Sequence, residues 1–308
     1  MSSADYREQV RLLLMVLPYV AEQEVFALKG GTAINLFHRG FPRLSVDIDL
    51  TYLPMEDRSE ALKGIADGLA RIKKDLEKNI EGILVTTMSQ SDGQEAKLSC
   101  RLDRTEIKIE VNTTIRGCLW KPELVQVAEA VQVEFGLFAA INVVSKGELY
   151  GGKICAALDR QHPRDLFDIQ QLLKDEGITD EVKLGFIAAL VGHSRPMNEL
   201  LNPNFQDQRE AFDTQFDGMS PLPFTYEDYE STRTGLLEEL DHKLTENDRR
   251  FLISFKSGEP DWALSPIDGL ESMASVRWKL QNIQKLKENN PKKHGELLAK
   301  LRECLGQR

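Results

Sequence analysis

Two short clusters of polar residues carry the chemistry legible in this chain. In the first, Gly30-Gly31-Thr32 follows the apolar run Val25 to Leu28 and precedes Asp47 and Asp49, which stand two apart in Ser45-Val-Asp-Ile-Asp-Leu-Thr-Tyr52. The apolar run reads as a short buried strand, and the glycine turn leads into a helix from Ala33 to Arg39. The first free amides of that helix then face the turn, where they can hold a phosphate. A strand from Ser45 to Tyr52 places both carboxylates on one face and Val46, Ile48 and Leu50 on the other. Paired carboxylates repel unless a divalent cation lies between them. Hard oxygen ligands suit Mg²⁺, which keeps its remaining positions for water and substrate phosphates. Phosphate-holding amides and a cation-binding pair at one sheet edge are what nucleotidyl transfer requires.

Each part alone has an ordinary alternative: Gly-Gly-Thr is a common strand-to-helix turn, and Asp-x-Asp on a half-exposed strand is usually a solvated face. Their order is more specific. A third carboxylate from a neighbouring strand would complete a metal site, and the alternating run Thr105 to Asn112 offers one. There Ile107, Ile109 and Val111 face the core, while Glu106, Lys108, Glu110 and Asn112 face outward. Glu110 is the candidate metal ligand and Glu106 the fallback.

The second cluster lies in the helix expected over Glu148 to Arg160 and the one that Pro163 begins. Lys153 and Arg160 fall on one stripe of the first helix, and Asp165 and Asp168 on one face of the second. Composition alone would make these two charged faces joined by a salt bridge. Together the blocks are Gly-Gly-Thr, Asp-x-Asp-Leu, Lys153-Ile-Cys-Ala-Ala-Leu-Asp-Arg160 and Arg164-Asp-Leu-Phe-Asp-Ile169. The first two resemble the signature of the DNA polymerase β-like nucleotidyltransferase superfamily. All four, in order over slightly under half of the chain, resemble the AbiEii/AbiGii-type nucleotidyltransferase toxins.

That resemblance implies a set of roles. Gly30, Gly31 and Thr32 form the nucleotide-binding turn, Asp47 and Asp49 hold the metal, Lys153 contacts nucleotide phosphate, and Asp168 is essential for activity. Glu110 rests mainly on the strand argument. The implied reaction moves a nucleoside monophosphate from a nucleoside triphosphate to a hydroxyl, with Mg²⁺ as cofactor and Asp168 either orienting Lys153 or acting as a base. The implied biology is the toxin half of a toxin–antitoxin pair of the phage-defence kind, with the 3′ end of tRNA as acceptor and a cognate antitoxin as partner, its direct binding left open. A protein or small-molecule hydroxyl is the alternative acceptor, and a nucleotide-responsive binding module without transfer activity is the alternative class. Past about Lys174 no motif is recognised.

The implied fold class is α+β: a nucleotidyltransferase-type mixed β-sheet with helices, followed by an α-helical C-terminal lobe. At 308 residues the chain exceeds the usual single domain, and the boundary is expected near Ser145, giving a core over 1–145 and a helical lobe over 146–308. Within the core, a helix is expected over Met55 to Asn79 and strands over Ile83 to Ser89, Glu95 to Leu102 and Thr105 to Asn112. A turn is expected at Ser91-Asp92-Gly93. Val131 to Phe135 and Ala139 to Val144 read as strands or loop.

Cys100, Cys118, Cys155 and Cys304 form no close pair, which fits a reduced, cytoplasmic setting. Val10 to Val20 is interrupted by Arg11 and Pro18 and reads as a core-facing helix rather than a signal peptide or membrane span. Net charge is −10, which argues against generic nucleic-acid binding, yet residues 277–308 hold nine Lys/Arg against three Glu, leaving this tail at +6 and the remainder at −16. The tail is either a solvated basic helix pair or a surface for RNA or an acidic partner. Arg39, Arg43, Arg160 and Arg164 form a second, smaller basic group.

Overall fold

The computed structural model describes residues 3–89 and 95–306; the Ser91-Asp92-Gly93 turn lies outside the described residues. Contacts divide the chain into two units, one of Met1–Ser145 with Asp217–Pro223, the other of Lys146–Phe216 with Phe224–Arg308. The return of Asp217–Pro223 to the first unit is a departure from the single boundary expected at Ser145.

The first unit is built on α1 (Ser3–Ala21), β1 (Phe26–Lys29) and α2, which starts as Gly30–Thr32 and continues as the π-helical turns Ala33–His38. It continues with β2 (Asp47–Tyr52), α3 (Arg58–Asn79), β3 (Leu84–Ser89), β4 (Glu95–Leu102), β5 (Thr105–Asn112), β6 (Glu123–Gln126), α4 (Glu129–Phe135) and β7 (Ala140–Val143). The seven strands form one mixed sheet in the order β3-β4-β5-β2-β1-β7-β6. α1 packs on β5 and β7, and α3 on β3 and β4. Ile48, Leu50 and Ile109 are wholly buried, and their neighbours Asp47, Asp49 and Glu110 are half-buried. The alternation legible in the sequence is thus the alternation of the sheet's two faces.

Several local expectations are corrected. Helix formation begins at Gly30 rather than Ala33, so the glycines form its first turn. Val131 to Phe135 belongs to α4, closed by Gly136 at φ +65. A seven-residue helix offers too few turns for a periodic signature. The edge strand β6 was not foreseen, because its outward positions include Leu124, 71% exposed, which breaks the polar-out pattern.

The second unit is helical throughout: α5 (Lys146–Arg160), α6 (Pro163–Asp175), α7 (Asp180–Gly192), α8 (Met197–Leu201), α9 (Arg209–Gln215), α10 (Tyr226–Lys243), α11 (Glu246–Lys256), α12 (Ala274–Asn289) and α13 (Pro291–Cys304). α5 and α7 touch backbone to backbone. A Cβ on Gly151 would run into the Gly185 backbone, and one on Gly185 into that of Gly147. Among the described residues no helix is long and apolar enough to cross a membrane.

Candidate active site

In the first unit, each residue of Gly30-Gly31-Thr32 meets a different part of the loop and strand that follow. Gly30 has φ +74, and a Cβ there would collide with the Asp49 carboxylate. Two independent reasons, backbone conformation and space, therefore exclude a side chain at this position. A Cβ on Gly31 would lie 2.8 Å from Arg43 Nη2 and 3.1 Å from Ser45 Oγ. The Thr32 hydroxyl is buried and donates to the Asp47 carbonyl at 2.5 Å. Its oxygen lies 3.0 Å from Ser45 Oγ. A hydroxyl has one proton, so Ser45 donates in that second contact.

Thr32 thus ties the start of α2 to the strand that carries the aspartates. Thr32→Val keeps the shape but removes the hydroxyl that bonds the Asp47 carbonyl and the buried Ser45. A loss of about 1–3 kcal/mol is expected, with transfer activity falling as Asp47 loosens. Urea unfolding measures the first quantity, and stability equal to wild type would show that the tether is immaterial.

The parallel pairing of β2 with β5 sets Asp49 opposite Glu110 and Asp47 opposite Lys108. Glu106 is exposed and precedes the paired stretch, so register removes it as the fallback. Glu110 itself is ion-paired with Lys97 of β4. Among the described residues no group of three His, Cys, Asp or Glu side chains is set out to hold a metal ion. Asp47 and Asp49, alternate residues of β2, put two hard oxygen donors on one strand face, the donor type that suits a hard divalent cation.

In the second unit, Lys153 Nζ sits between two carboxylates, 2.9 Å from Asp165 Oδ1 and 3.0 Å from Asp168 Oδ2. Arg160 reaches Asp165 from the other side, with Nε 2.5 Å from Oδ2 and Nη2 2.9 Å from Oδ1. Lys153, Asp165 and Asp168 are all buried, whereas the Arg160 side chain is 63% exposed. Burial alone would raise the Asp165 pKa, but the charges of Lys153 and Arg160 and their hydrogen bonds override it and hold the carboxyl well below its usual range. His162 caps α6, its Nδ1 accepting from the Arg164 amide at 3.1 Å. The imidazole proton is thereby placed on Nε2, which donates to Gln215 Oε1 at 3.0 Å. Burial lowers this histidine's pKa and favours the neutral ring.

The profile of a family described as nucleotidyl transferase AbiEii toxin, type IV toxin–antitoxin system, matches residues 11–282, most of the chain. The chain belongs to the AbiEii family. In structure it is similar to MenT4, a nucleotidyltransferase toxin from Mycobacterium tuberculosis H37Rv, with TM-score 0.59 and 16% identity over 92% of this chain and 93% of that one. That likeness supports the fold. A protein from H. pylori described as a nucleotidyltransferase aligns with TM-score 0.46 and 17% identity over 76% of this chain and 94% of its own. No curated protein matches the chain in sequence.

For this AbiEii nucleotidyltransferase, the structure brings Gly30, Gly31, Thr32, Asp47, Asp49 and Glu110 together in the first unit, and Lys153 and Asp168 in the second. Sequence reading placed Asp165 on one helix face with Asp168 but gave it no role of its own; in the structure it bridges Lys153 to Arg160. Nor did sequence reading foresee the place of Arg43. That residue is 3% exposed, donates from Nη1 to the Leu44 carbonyl at 2.8 Å, and lies against Gly31. It is removed from the surface basic group. Segment Asp217–Pro223 secures its loop: Leu44 N donates to Met219 O at 2.8 Å, and Ser220 Oγ to Pro42 O at 2.8 Å.

Proposed function

We propose that this chain transfers a nucleoside monophosphate from a nucleoside triphosphate to the 3′ end of tRNA, as a cytoplasmic growth-arresting toxin held in check by a cognate antitoxin. The observation that carries the chemistry is the locking of Asp47 and Asp49 to the Gly-Gly-Thr turn, which keeps carboxylates beside phosphate-holding amides. Asp47 and Asp49 would hold Mg²⁺, with Glu110 joining them once released from Lys97. The cation, when bound, supplies charge neutralisation on the phosphates and acidifies the acceptor hydroxyl. Lys153 offsets negative charge developing on the phosphates, an electrostatic role. Asp168, 3.0 Å away, orients that ammonium. Four charges that sum to zero, three of them buried, are weak evidence of stabilisation, since apolar side chains often serve as well. Their presence here supports a catalytic duty.

The acceptor reading draws on the basic tail. α12 and α13 expose Lys285, Lys292, Lys293 and Lys300, whereas Lys279 is buried and donates to the Ser194 and Arg195 carbonyls. Lys287 is engaged by Glu259 at 2.7 Å. Purified chain incubated with each labelled nucleoside triphosphate and either bulk tRNA or protein lysate tests the acceptor, and label found only on protein would overturn the tRNA assignment. Replacing the four exposed lysines by glutamine is expected to flatten the salt dependence of tRNA modification by up to about 0.7 per lysine in the logarithmic slope. Identical slopes would leave the tail as a solvated face.

A further inference from the structure

We propose that the loop over residues 204–208 is a ledge on which unpaired bases of the acceptor RNA stack; this deepens, and rests on, the RNA reading above. Its tip is Phe205, 48% exposed. The guanidinium of Arg233, itself 5% exposed, lies 4.0 Å from the Phe205 ring centroid. With one face held by a cation, the ring has only its other face for a second flat group. A second stack flanks the same loop, Arg209 lying 4.4 Å from the Tyr226 ring centroid. Alternating aromatic and basic groups are what sequence-tolerant recognition of single-stranded nucleic acid uses.

The loop is held far more tightly than a half-exposed phenylalanine warrants. Gln161 Nε2 donates to the Asn204 carbonyl at 2.8 Å, and its Oε1 accepts from the Gln206 amide at 3.0 Å. Arg233 Nη1 donates to the Gln206 carbonyl at 2.9 Å, and the Gln208 amide donates to Tyr226 Oη at 3.0 Å. Gln161 is 2% exposed with φ +50, a left-handed conformation that is costly for a side chain of this type and that persists where surrounding contacts over-determine it. It directly follows Arg160, whose guanidinium clamps Asp165 and whose carbonyl accepts from Gln208 Nε2 at 3.4 Å. One strained residue therefore couples the ledge to the Lys153 cluster within the second unit. Asp207, 71% exposed, accepts from Tyr226 Oη at 3.2 Å. A carboxylate there repels phosphate, so base faces and not the backbone are what the ledge suits.

The test uses the full chain as wild type, Phe205→Ala and Phe205→Trp. Binding of a labelled, unstructured oligoribonucleotide is read by anisotropy, and KM is measured for bulk tRNA and for the nucleoside triphosphate. Phe205→Ala is expected to weaken oligoribonucleotide binding by about tenfold and to raise the tRNA KM comparably. The triphosphate KM should stay unchanged, and Phe205→Trp should restore both RNA quantities. Oligoribonucleotide binding that is absent in wild type, or unchanged in Phe205→Ala, overturns the ledge. So does a change confined to the triphosphate KM, or a loss that tryptophan fails to rescue. Wild type that binds the oligoribonucleotide through Phe205 yet labels no RNA would instead refute the acceptor reading while leaving the ledge in place.

Discussion

Asp49→Asn is expected to lower nucleotidyl transfer by about a thousandfold, the scale on which preorganised charge stabilises a transition state, and to abolish growth arrest. The substitution keeps the shape of the side chain packed against Gly30 but removes the negative charge that a hard cation requires. It also relieves repulsion with Asp47 on the same strand face. Stability should therefore stay within about 0.5 kcal/mol of wild type. Transfer rates with saturating triphosphate, read beside a urea unfolding curve, check both halves. A variant that folds normally and still transfers would remove Asp49 from the metal, and a variant that fails to fold would assign it a structural duty instead.

The second large effect concerns Lys153. Lys153→Met takes away the ammonium that pairs with both buried carboxylates, Asp165 and Asp168. Removing one partner of a buried ion pair costs about 3–5 kcal/mol. Adding Asp168→Asn removes one of the two carboxylates that lost this cation, so the double variant should recover much of the loss, with a coupling above about 1 kcal/mol. Activity should not recover with it. A double variant near wild-type stability but inactive would separate the electrostatic duty of Lys153 from its place in the core. Recovery of activity together with stability would make the cluster purely structural.

The same cluster fixes an acid response. The Asp165 pKa is depressed in the folded state. Its contribution is therefore fully present above the unfolded carboxyl value, about 3.9, and is lost as pH falls below that toward the folded value. Lys153→Met should shrink this portion of the acid-unfolding curve.

Much of this arrangement was legible in local pattern. Alternation marked β5, and Pro163 marked the start of α6, because the residues that decide those features are adjacent in sequence. The order of Gly-Gly-Thr and Asp-x-Asp marked the chemistry. Alternation puts Glu106 and Glu110 on one face without telling them apart; the β2–β5 register sets Glu110, and not Glu106, opposite Asp49. Nor could alternation show Lys97 across the next ladder, since which side chains meet between strands depends on pairing and not on spacing. The short α4 and β6 offered too few residues for a period to emerge.

The sequence by itself determined which residue types carry charge, which faces of β2 and β5 are apolar, and roughly where β1, β2, α3, β3, β4, β5 and α5 lie and where α6 begins. All of these follow from contacts within one or two turns. Only the tertiary structure decided the partner of each charge. Arg43 reads as a surface cation until its loop is held by Ser220, 178 residues away, and it is then buried against Gly31. Thr32 reads only as part of a phosphate-binding turn, and the structure adds that its hydroxyl donates to the Asp47 carbonyl. Asp165 and Asp168 read as one charged helix face, and only the packing of α6 against α5 shows both of them on Lys153 and buried. In each case burial and partner come from segments far apart in the chain, and their free energy depends on a packing that no local window contains.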